Sequence, residues 1–600
     1  MIRKIKQYLV LAALSSLTFT VADAQLIAFP GAEGYGRFAT GGRGDGLTNQ
    51  VVEVTNLEDD PVNPSEGSLR WAFTQATEIR IDPVLGPYTV KLPMTIVFRV
   101  GGVINLQDEL RVNRNNMTIA GQTAPGDGIC IRGATVNFSG SKNLILQHIR
   151  FRPGDELGLI TSSFRIENGE NFIVDHCSMS WTIEETTHFS SNKNTTVQWC
   201  ILSESLYRSF HPKGSRGYAT QWGGQYASYH HNLLAHHNSR MPRINGSNGN
   251  DVEALVDYRN NVNFNWGSSG AFYGGEFEGT GGQGFCHTNV VNNYFKPGPA
   301  TGGSPVFARP SLNRDGVPLD GYAGWYFSGN VMEGNAAITA DNWLGVDGSE
   351  VGGNANIRSD EEFAQSDGAL EQYGHYTESA AGAYQSVLSY AGATLPKRDT
   401  IDARVIAEVK GEIPVIRYEY LAGDTLETPV KGIASGIIDT PMNLVPDSLQ
   451  DEMTPWDVYT TSYDAPADTD HDGIPDDWET ANGLNPTDYN DGRTITANGY
   501  SNLENYLHGL TLTATEEAEE NPSGLKVYPN PSTGQFTIES DRIIIRLDVV
   551  NLSGQLVRSV KNEAGIQSVD LEALPTGLYV LRAVSRTGQS VSRQVAVQHK

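Results

Sequence analysis

The chain has 600 residues, a net charge of −27, 64 glycines and 9% aromatic residues. Six hundred residues exceed one compact core, so two to four domains are expected, and the acidic balance sets nucleic acid aside as a partner. Abundant glycine, with β-branched and aromatic residues throughout, favours short strands joined by many turns.

The amino terminus reads as a signal peptide over residues 1–24. Arg3, Lys4 and Lys6 precede an apolar run over 8–21, and Ala22-Asp23-Ala24 forms a small-x-small cleavage site. The run is too short to span a bilayer and no other long apolar stretch follows. The mature chain is therefore expected to be exported, soluble and without a transmembrane segment. Four cysteines, Cys130, Cys177, Cys200 and Cys286, are too few for a disulfide scaffold. Cys177 and Cys200 occupy matching places in neighbouring repeats, which leaves stacked thiols and a bridge both open.

From about residue 51 one short motif recurs. It reads Leu146-Gln147-His148-Ile149, Val174-Asp175-His176-Cys177, Val197-Gln198-Trp199-Cys200, Tyr229-His230-His231-Asn232, Tyr258-Arg259-Asn260-Asn261, Val291-Asn292-Asn293-Tyr294 and Ser328-Gly329-Asn330-Val331. Aligned on His148, Cys177, Cys200, Asn232, Asn261, Asn293 and Asn330, the steps are 29, 23, 32, 29, 32 and 37 residues. Irregular steps with one short strand each suit a solenoid of stacked β-coils. Asparagines at four successive equivalent places would form a side-chain amide ladder. A β-sandwich with coincidental asparagines is the competing arrangement. In a solenoid, alternate side chains point outward, so polar residues of successive coils would line a long flat surface suited to a polymer.

Beyond Asn330 the repeat fades. Residues 381–391 and 402–410 have helical spacing and are expected to cap or pack on the solenoid end. Next, Asp468, Asp470, Asp472, Asp476 and Glu479 fall at loop positions 1, 3, 5, 9 and 12, with Gly473 at 6 and the Ile474 carbonyl at 7. This is the donor order of an EF-hand-type Ca2+ loop, read here as a structural module. A charged linker follows. The last segment, with Tyr528-Pro529-Asn530-Pro531 and strand patterns over 543–550 and 574–581, reads as a small β-sandwich. Its nine Lys and Arg against six acids set it apart from the acidic remainder.

Chemistry concentrates near Ser239-Arg240-Met241-Pro242-Arg243. Two arginines this close, beside a proline, form an anion clamp able to meet carboxylates through paired N–H groups. A surface salt bridge is the plainer reading of two arginines alone. The wider pattern decides. The stretches 31–36, Asn116-Met117-Thr118-Ile119-Ala120-Gly121-Gln122, Val174-Asp175-His176-Cys177-Ser178, Tyr229-His230-His231-Asn232 and Arg240-Met241-Pro242-Arg243 together resemble the polysaccharide lyase family 1 pectate lyases over residues 26–411. The tail from residue 525 resembles the C-terminal sorting domain of the type IX secretion system. The loop at 468–479 is similar to thrombospondin type 3 or dockerin-like calcium repeats.

The resemblance implies a right-handed parallel β-helix that cleaves polygalacturonate by calcium-assisted β-elimination to 4,5-unsaturated oligogalacturonates. Removing the C5 proton of a uronate is hard because the adjacent carboxylate is already charged, so neutralising that carboxylate lowers the cost of the enolate. By resemblance Arg240 is the base, with its pKa locally depressed, and Lys213 is the substrate-binding lysine, with Arg243 then clamping a substrate carboxylate. His231 is read from the histidine-rich strand itself as a substrate-binding candidate, against the plainer role of holding the strand by hydrogen bonds. Asp175, Glu184 and Glu185 are the expected ligands of a catalytic Ca2+. Here the chain departs from the family, because Ser162 and Thr187 or His188 stand where aspartate ligands are expected.

The expected layout is a signal peptide (1–24), a β-helix (25–450), a linker with the calcium loop (451–513), a second linker (514–524) and a sorting domain (525–600). The expected partners are an acidic plant cell-wall polysaccharide and the type IX machinery. The protein is expected to act as a monomer, secreted or attached to the cell surface. Two alternatives compete with the lyase: a pectin-binding surface protein that lost the chemistry, and a β-helix hydrolase. The hydrolase needs paired aspartates to activate water, and none stands near the groove motifs.

Overall fold

The computed structural model describes residues 25–597 apart from 45–48, 250, 268–269, 303–305, 313–319, 365–376, 419–434, 518–524, 531, 541–542, 552–555, 563, 576 and 586–589. The signal segment expected over 1–24 lies outside the described residues. Three long parallel sheets dominate. A ten-stranded first sheet runs from Gln50–Val54 to Gly324–Ser328. A nine-stranded second sheet runs from Gly102–Asn105 to Val331–Met332, and an eight-stranded third sheet from Leu110–Arg111 to Ala308–Pro310. Successive strands enter different sheets and pair with the strand one coil away. The chain thus winds as the right-handed parallel β-helix that the repeats imply.

Inward positions hold the coils together. In the first sheet Leu146, Val174, Val197, Tyr229, Tyr258 and Val290 are register partners on successive coils, and all are buried. Each such side chain contributes roughly 1.5–3 kcal/mol by leaving water. Aliphatic coils give way to aromatic ones, where Trp222 lies flat on Tyr229 with centroids 4.3 Å apart.

The corner between the first and second sheets explains the recurring motif. His148, His176, Trp199, His231, Asn260 and Asn292 each turn it with φ between 49° and 55°. Asn232 Oδ1 accepts the Cys200 backbone N–H at 2.9 Å, and each later ladder asparagine accepts, through Oδ1, both the backbone and side-chain N–H of the asparagine one coil earlier. Asn232 donates to Asn261 at 2.9 and 3.0 Å, Asn261 to Asn293, and Asn293 to Asn330. Asn342, outside the repeat, adds one more rung below Asn330. Cys177 and Cys200 fill the same slot on earlier coils as free thiols, with Cys200 Sγ accepting from the Cys177 N–H. The register corrects one alignment. Gln147 pairs with Asp175, so Ile149, not His148, precedes Cys177 in this row.

The expected helices form at Ala380–Tyr390 and Thr400–Lys410. They do not cap the end. Val387, Leu388, Val405, Ile406 and Val409 pack along the flank of the second sheet against Ile201, Leu233, Val262 and Phe264. Buried ion pairs fix them there: Arg152 binds Asp399 and Asp402, and Glu204 binds Arg404 and Arg417.

The loop at 468–473 and the helices Asp476–Asn482 and Asn502–Glu517 cover the outer face of the first sheet. Ile474, Leu503, Tyr506 and Leu507 cluster there with Ala120 and Val51. The tail forms a three-stranded and a four-stranded antiparallel sheet around a core of its own that includes Leu547, Val549, Leu581 and Val595.

Candidate active site

The third sheet displays a row of polar side chains along the solenoid axis. Arg165, His188, Gln221, Arg243, Tyr273 and Arg309 are register partners on successive coils. Each is partly exposed between buried neighbours, as strand alternation requires. Coils stack about 4.8 Å apart, so the row offers a cation or hydrogen-bonding group at every step along a bound chain.

Arg240 enters this row from the turn before Arg243–Ile244. The turn is pinned on both sides. Thr220 N–H donates to the Arg240 carbonyl at 2.9 Å, and Met241 N–H donates to Ala271 O at 2.7 Å. Met241 is fully buried, so its neighbour Arg240, at φ 62°, is directed outward. The guanidinium lies 4.0 Å above the Tyr218 ring, contacts Glu185 and sits 3.3 Å from Gln221 Oε1. Burial, with Arg243 close by, pushes its pKa below the ordinary arginine value. The Glu185 carboxylate works the other way, because it favours the charged guanidinium.

Arg243 donates to Glu276 at 2.8 Å and also bonds Asn245. Glu184 takes Arg216 and His211 as partners, and the Arg216 guanidinium lies 4.7 Å from the same Tyr218 ring that Arg240 covers. Lys213 is exposed on the adjoining loop, where its N–H donates to His211 Nδ1 at 3.0 Å. Arg240, Arg216, Glu184, Glu185 and the Lys213 loop are therefore brought together around Tyr218, with Arg243 in the row beside Gln221 and Tyr273.

Two expected residues lie elsewhere. His231 is fully buried at the first corner, stacked 4.3 Å from Trp199 and 3.2 Å from Glu378. It belongs to the corner row and cannot meet a substrate in this groove. Asp175 ends a strand of the first sheet, where it binds Gln147, Gln198 and His176 at 2.8–2.9 Å. The expected catalytic calcium set of Asp175, Glu184 and Glu185 thus does not converge. The two glutamates lie in the groove but are each engaged by cations, and among the described residues no three metal-type ligands meet there. These side chains do not fit a resident ion.

The loop at 468–479 behaves differently. Asp468, Asp470 and Asp472 converge, as do Asp472, Glu479 and Asp491. Burial pushes the Asp472 carboxyl up to about 8 and that of Glu479 up to about 7. Asp476, expected as a ligand, instead accepts from Thr469 N and Oγ1 at 2.7 Å with its two oxygens. Ile474 buries its side chain in the cluster beside Leu503. Asp491 lies beyond the sequence motif, so the loop pattern had no place for it. Arg216, His211, Tyr218 and Tyr273 were likewise missed. Strand alternation flags Tyr273, but nothing local marks Arg216 as a partner of Glu184.

The three stacked parallel sheets and the row from Arg165 to Arg309 define the class, a β-helix with a partly cationic outer row, and comparison with known proteins gives the family. The "Probable pectate lyase C" of Aspergillus fumigatus strain Af293 is 32% identical over 499 residues, covering 83% of this chain and 96% of that protein. The chain belongs to the pectate lyase family and is a polysaccharide lyase. Among solved structures, the major cedar pollen allergen jun a 1 matches with 16% identity and a TM-score of 0.43, over 60% of this chain and 92% of its own. Pectate lyase C of Erwinia chrysanthemi, determined with 30 mM Ca2+, matches with 15% identity and a TM-score of 0.36, over 62% and 99%. Residues 526–598 match the secretion system C-terminal sorting domain.

Proposed function

We propose that the protein cleaves polygalacturonate-type pectin by β-elimination, with Arg240 as the base. The observation that carries this reading is the placement of Arg240. It is outward, partly desolvated over Tyr218, and flanked by Arg243 and Arg216 on a row of coils that suits an extended polyuronide. Arg243 grips the carboxylate of the reacting sugar, and Lys213 and Arg216 add positive charge nearby. That charge stabilises the carbanion as it forms at C5.

Arg240 leaves Glu185, loses its proton to solvent and takes the C5 proton. The C5–H electron pair forms the C4=C5 bond as the C4–O bond breaks, and the departing oxygen gains a proton from water. Family membership brings calcium into consideration, but no step here runs through an ion, because the groove carboxylates are held by Arg240, Arg216 and His211. Ultraviolet absorbance from polygalacturonate, lost in Arg240→Ala, tests the reading. A second reading, pectin binding without cleavage, draws on the same Arg240–Glu185 pair, which keeps the guanidinium charged. Binding with no product, with or without added Ca2+, would select it.

The match of residues 526–598 to the secretion system C-terminal sorting domain supports reading the type IX machinery as a partner and the protein as exported, released or surface-attached. The proposed layout keeps the expected boundaries at 24, 450, 513 and 524, and the proposed acting unit is the monomer.

A further inference from the structure

The calcium loop carries more than its sequence motif. Gly473 N–H donates to Asp468 Oδ2 at 3.0 Å, Asp472 N–H to Asp470 Oδ1 at 3.2 Å, and Ile474 N–H to Asp472 Oδ1 at 2.8 Å. Asn485 N–H donates to Asp491 Oδ2 at 2.7 Å. One oxygen of each aspartate is thereby fixed by backbone. The other oxygen of each, Asp468 Oδ1, Asp470 Oδ2, Asp472 Oδ2 and Asp491 Oδ1, is buried without a hydrogen-bond partner, and so are both oxygens of Glu479. Glu479 is 0% exposed.

Buried carboxylate oxygens without donors are costly, and here they face one another. The ligand atoms in each converging group lie within 4.8 Å of one another. That span matches oxygens on opposite sides of an ion at about 2.4 Å, the Ca2+ distance. Mg2+ demands about 2.1 Å and keeps several waters, while Zn2+ favours nitrogen and sulfur. Glu479, with two free oxygens, fits the bidentate place.

The site also sits on a joint. His471 Nδ1 lies 2.8 Å from Glu53, and Arg99 lies 3.9 Å from Asp468. Val51 N–H donates to Tyr489 Oη at 3.2 Å. A Cβ on Gly473 would meet Val51 and Val97 at 3.1 and 3.4 Å, and one on Gly492 would meet Asp472 Oδ2 at 1.9 Å. Both segments that supply ligands therefore press on each other or on the first strands of the solenoid.

We propose that Ca2+ held by Asp468, Asp470, Asp472, Glu479 and Asp491, with Asp491 in the role the motif gave to Asp476, clasps the 468–507 segment onto the first coils of the β-helix. The ion is structural. Its loss frees the apolar surface formed by Val51, Val97 and Ala120, and the clasp does not depend on the lyase reading.

The test uses the full mature chain stripped with chelator, then titrated with Ca2+ in a calorimeter and with Tb3+, whose luminescence Trp478 would sensitise. Limited proteolysis and thermal unfolding run alongside. Wild type is expected to bind one Ca2+ tightly, gain thermal stability and resist cleavage near the loop. Second-shell changes alone cost 10–100-fold in metal affinity, so Glu479→Gln and Asp491→Asn should each weaken binding by about tenfold or more. Asp476→Asn should leave it unchanged. Gly492→Ala, which adds no charge change, should also weaken Ca2+. No binding by wild type would overturn the proposal. So would Asp491→Asn binding like wild type, or Asp476→Asn losing as much as Glu479→Gln. If the variants fold poorly, the wild-type stability and Tb3+ titrations still decide.

Discussion

Replacing Arg240 by alanine should have two separable effects. The Glu185 side chain is 4% exposed and that of Arg240 16%, so Arg240→Ala strands a nearly buried carboxylate. Breaking a buried pair from one side costs about 3–5 kcal/mol. The guanidinium keeps some solvent, so a loss near 3 kcal/mol is expected. His188 Nδ1, at 3.8 Å from Glu185, is too distant to replace it by a hydrogen bond. Catalytically, removing a positioned general base should lower kcat by about 100- to 10,000-fold. Adding Glu185→Gln removes the stranded charge without restoring a base. The double variant should regain most of the lost stability, read by urea unfolding, while its rate of unsaturated-product formation stays at the single-variant level. If the double variant recovers rate as well as stability, Arg240 acts only through Glu185 and the base assignment fails.

Arg243→Ala should raise KM by about tenfold or more while kcat changes little, because the charge-assisted contact it supplies to a uronate serves ground state and transition state alike; initial rates over a range of polygalacturonate concentrations check this. Activity should climb with pH through the alkaline range. Arg240 must be neutral to accept a proton, and burial with Arg243 nearby has lowered its pKa, so its base form gains as pH rises; a pH–rate profile that is flat or falls there contradicts this. Asn261→Ala leaves Asn232 N and Tyr229 O without the partner Asn261 supplies, while Asn232 Nδ2 keeps the Val197 carbonyl at 2.9 Å. At about 1–3 kcal/mol for each buried orphan, the loss should be about 2–6 kcal/mol, seen as a fall in the urea midpoint. His231→Ala should leave KM for polygalacturonate unchanged while lowering stability, because its ring stacks on Trp199 at the corner; a selective rise in KM would return it to the groove.

The solenoid was legible because its repeat is written in residues that do one job per coil. The asparagine row at Asn232, Asn261, Asn293 and Asn330 is visible as spacing, and the backbone stacks it into hydrogen bonds. The same motif misled at His231. Conspicuous histidines beside an asparagine suggest chemistry, whereas the corner needs residues that tolerate positive φ and can stack. The Arg240–Arg243 cluster was visible because a short R-x-P-R stretch is compact in sequence. Its surroundings were not, because Glu185, Tyr218 and Gln221 come from other coils and meet it only through register. Asp175 lies apart for the converse reason: it neighbours the family-like motif in sequence but ends a first-sheet strand, whereas Glu184 precedes and Glu185 opens a strand of the third sheet. The carboxylates at 468–479 were legible as a pattern, and the fold brings Asp468, Asp470 and Asp472 together, while Asp491 required a chain that returns to the loop after Asn485.

The most direct measurement is mass analysis of the oligosaccharides released from polygalacturonate by the purified mature protein, with wild type and Arg240→Ala side by side. The account predicts that each cut adds a fragment one water lighter than its hydrolysis counterpart, with an ultraviolet-absorbing double bond at its new non-reducing end, while the piece from the original non-reducing end keeps its full mass; the variant gives none of the lighter series above background. A full-mass series with no lighter one, or equal yields from both proteins, would contradict it.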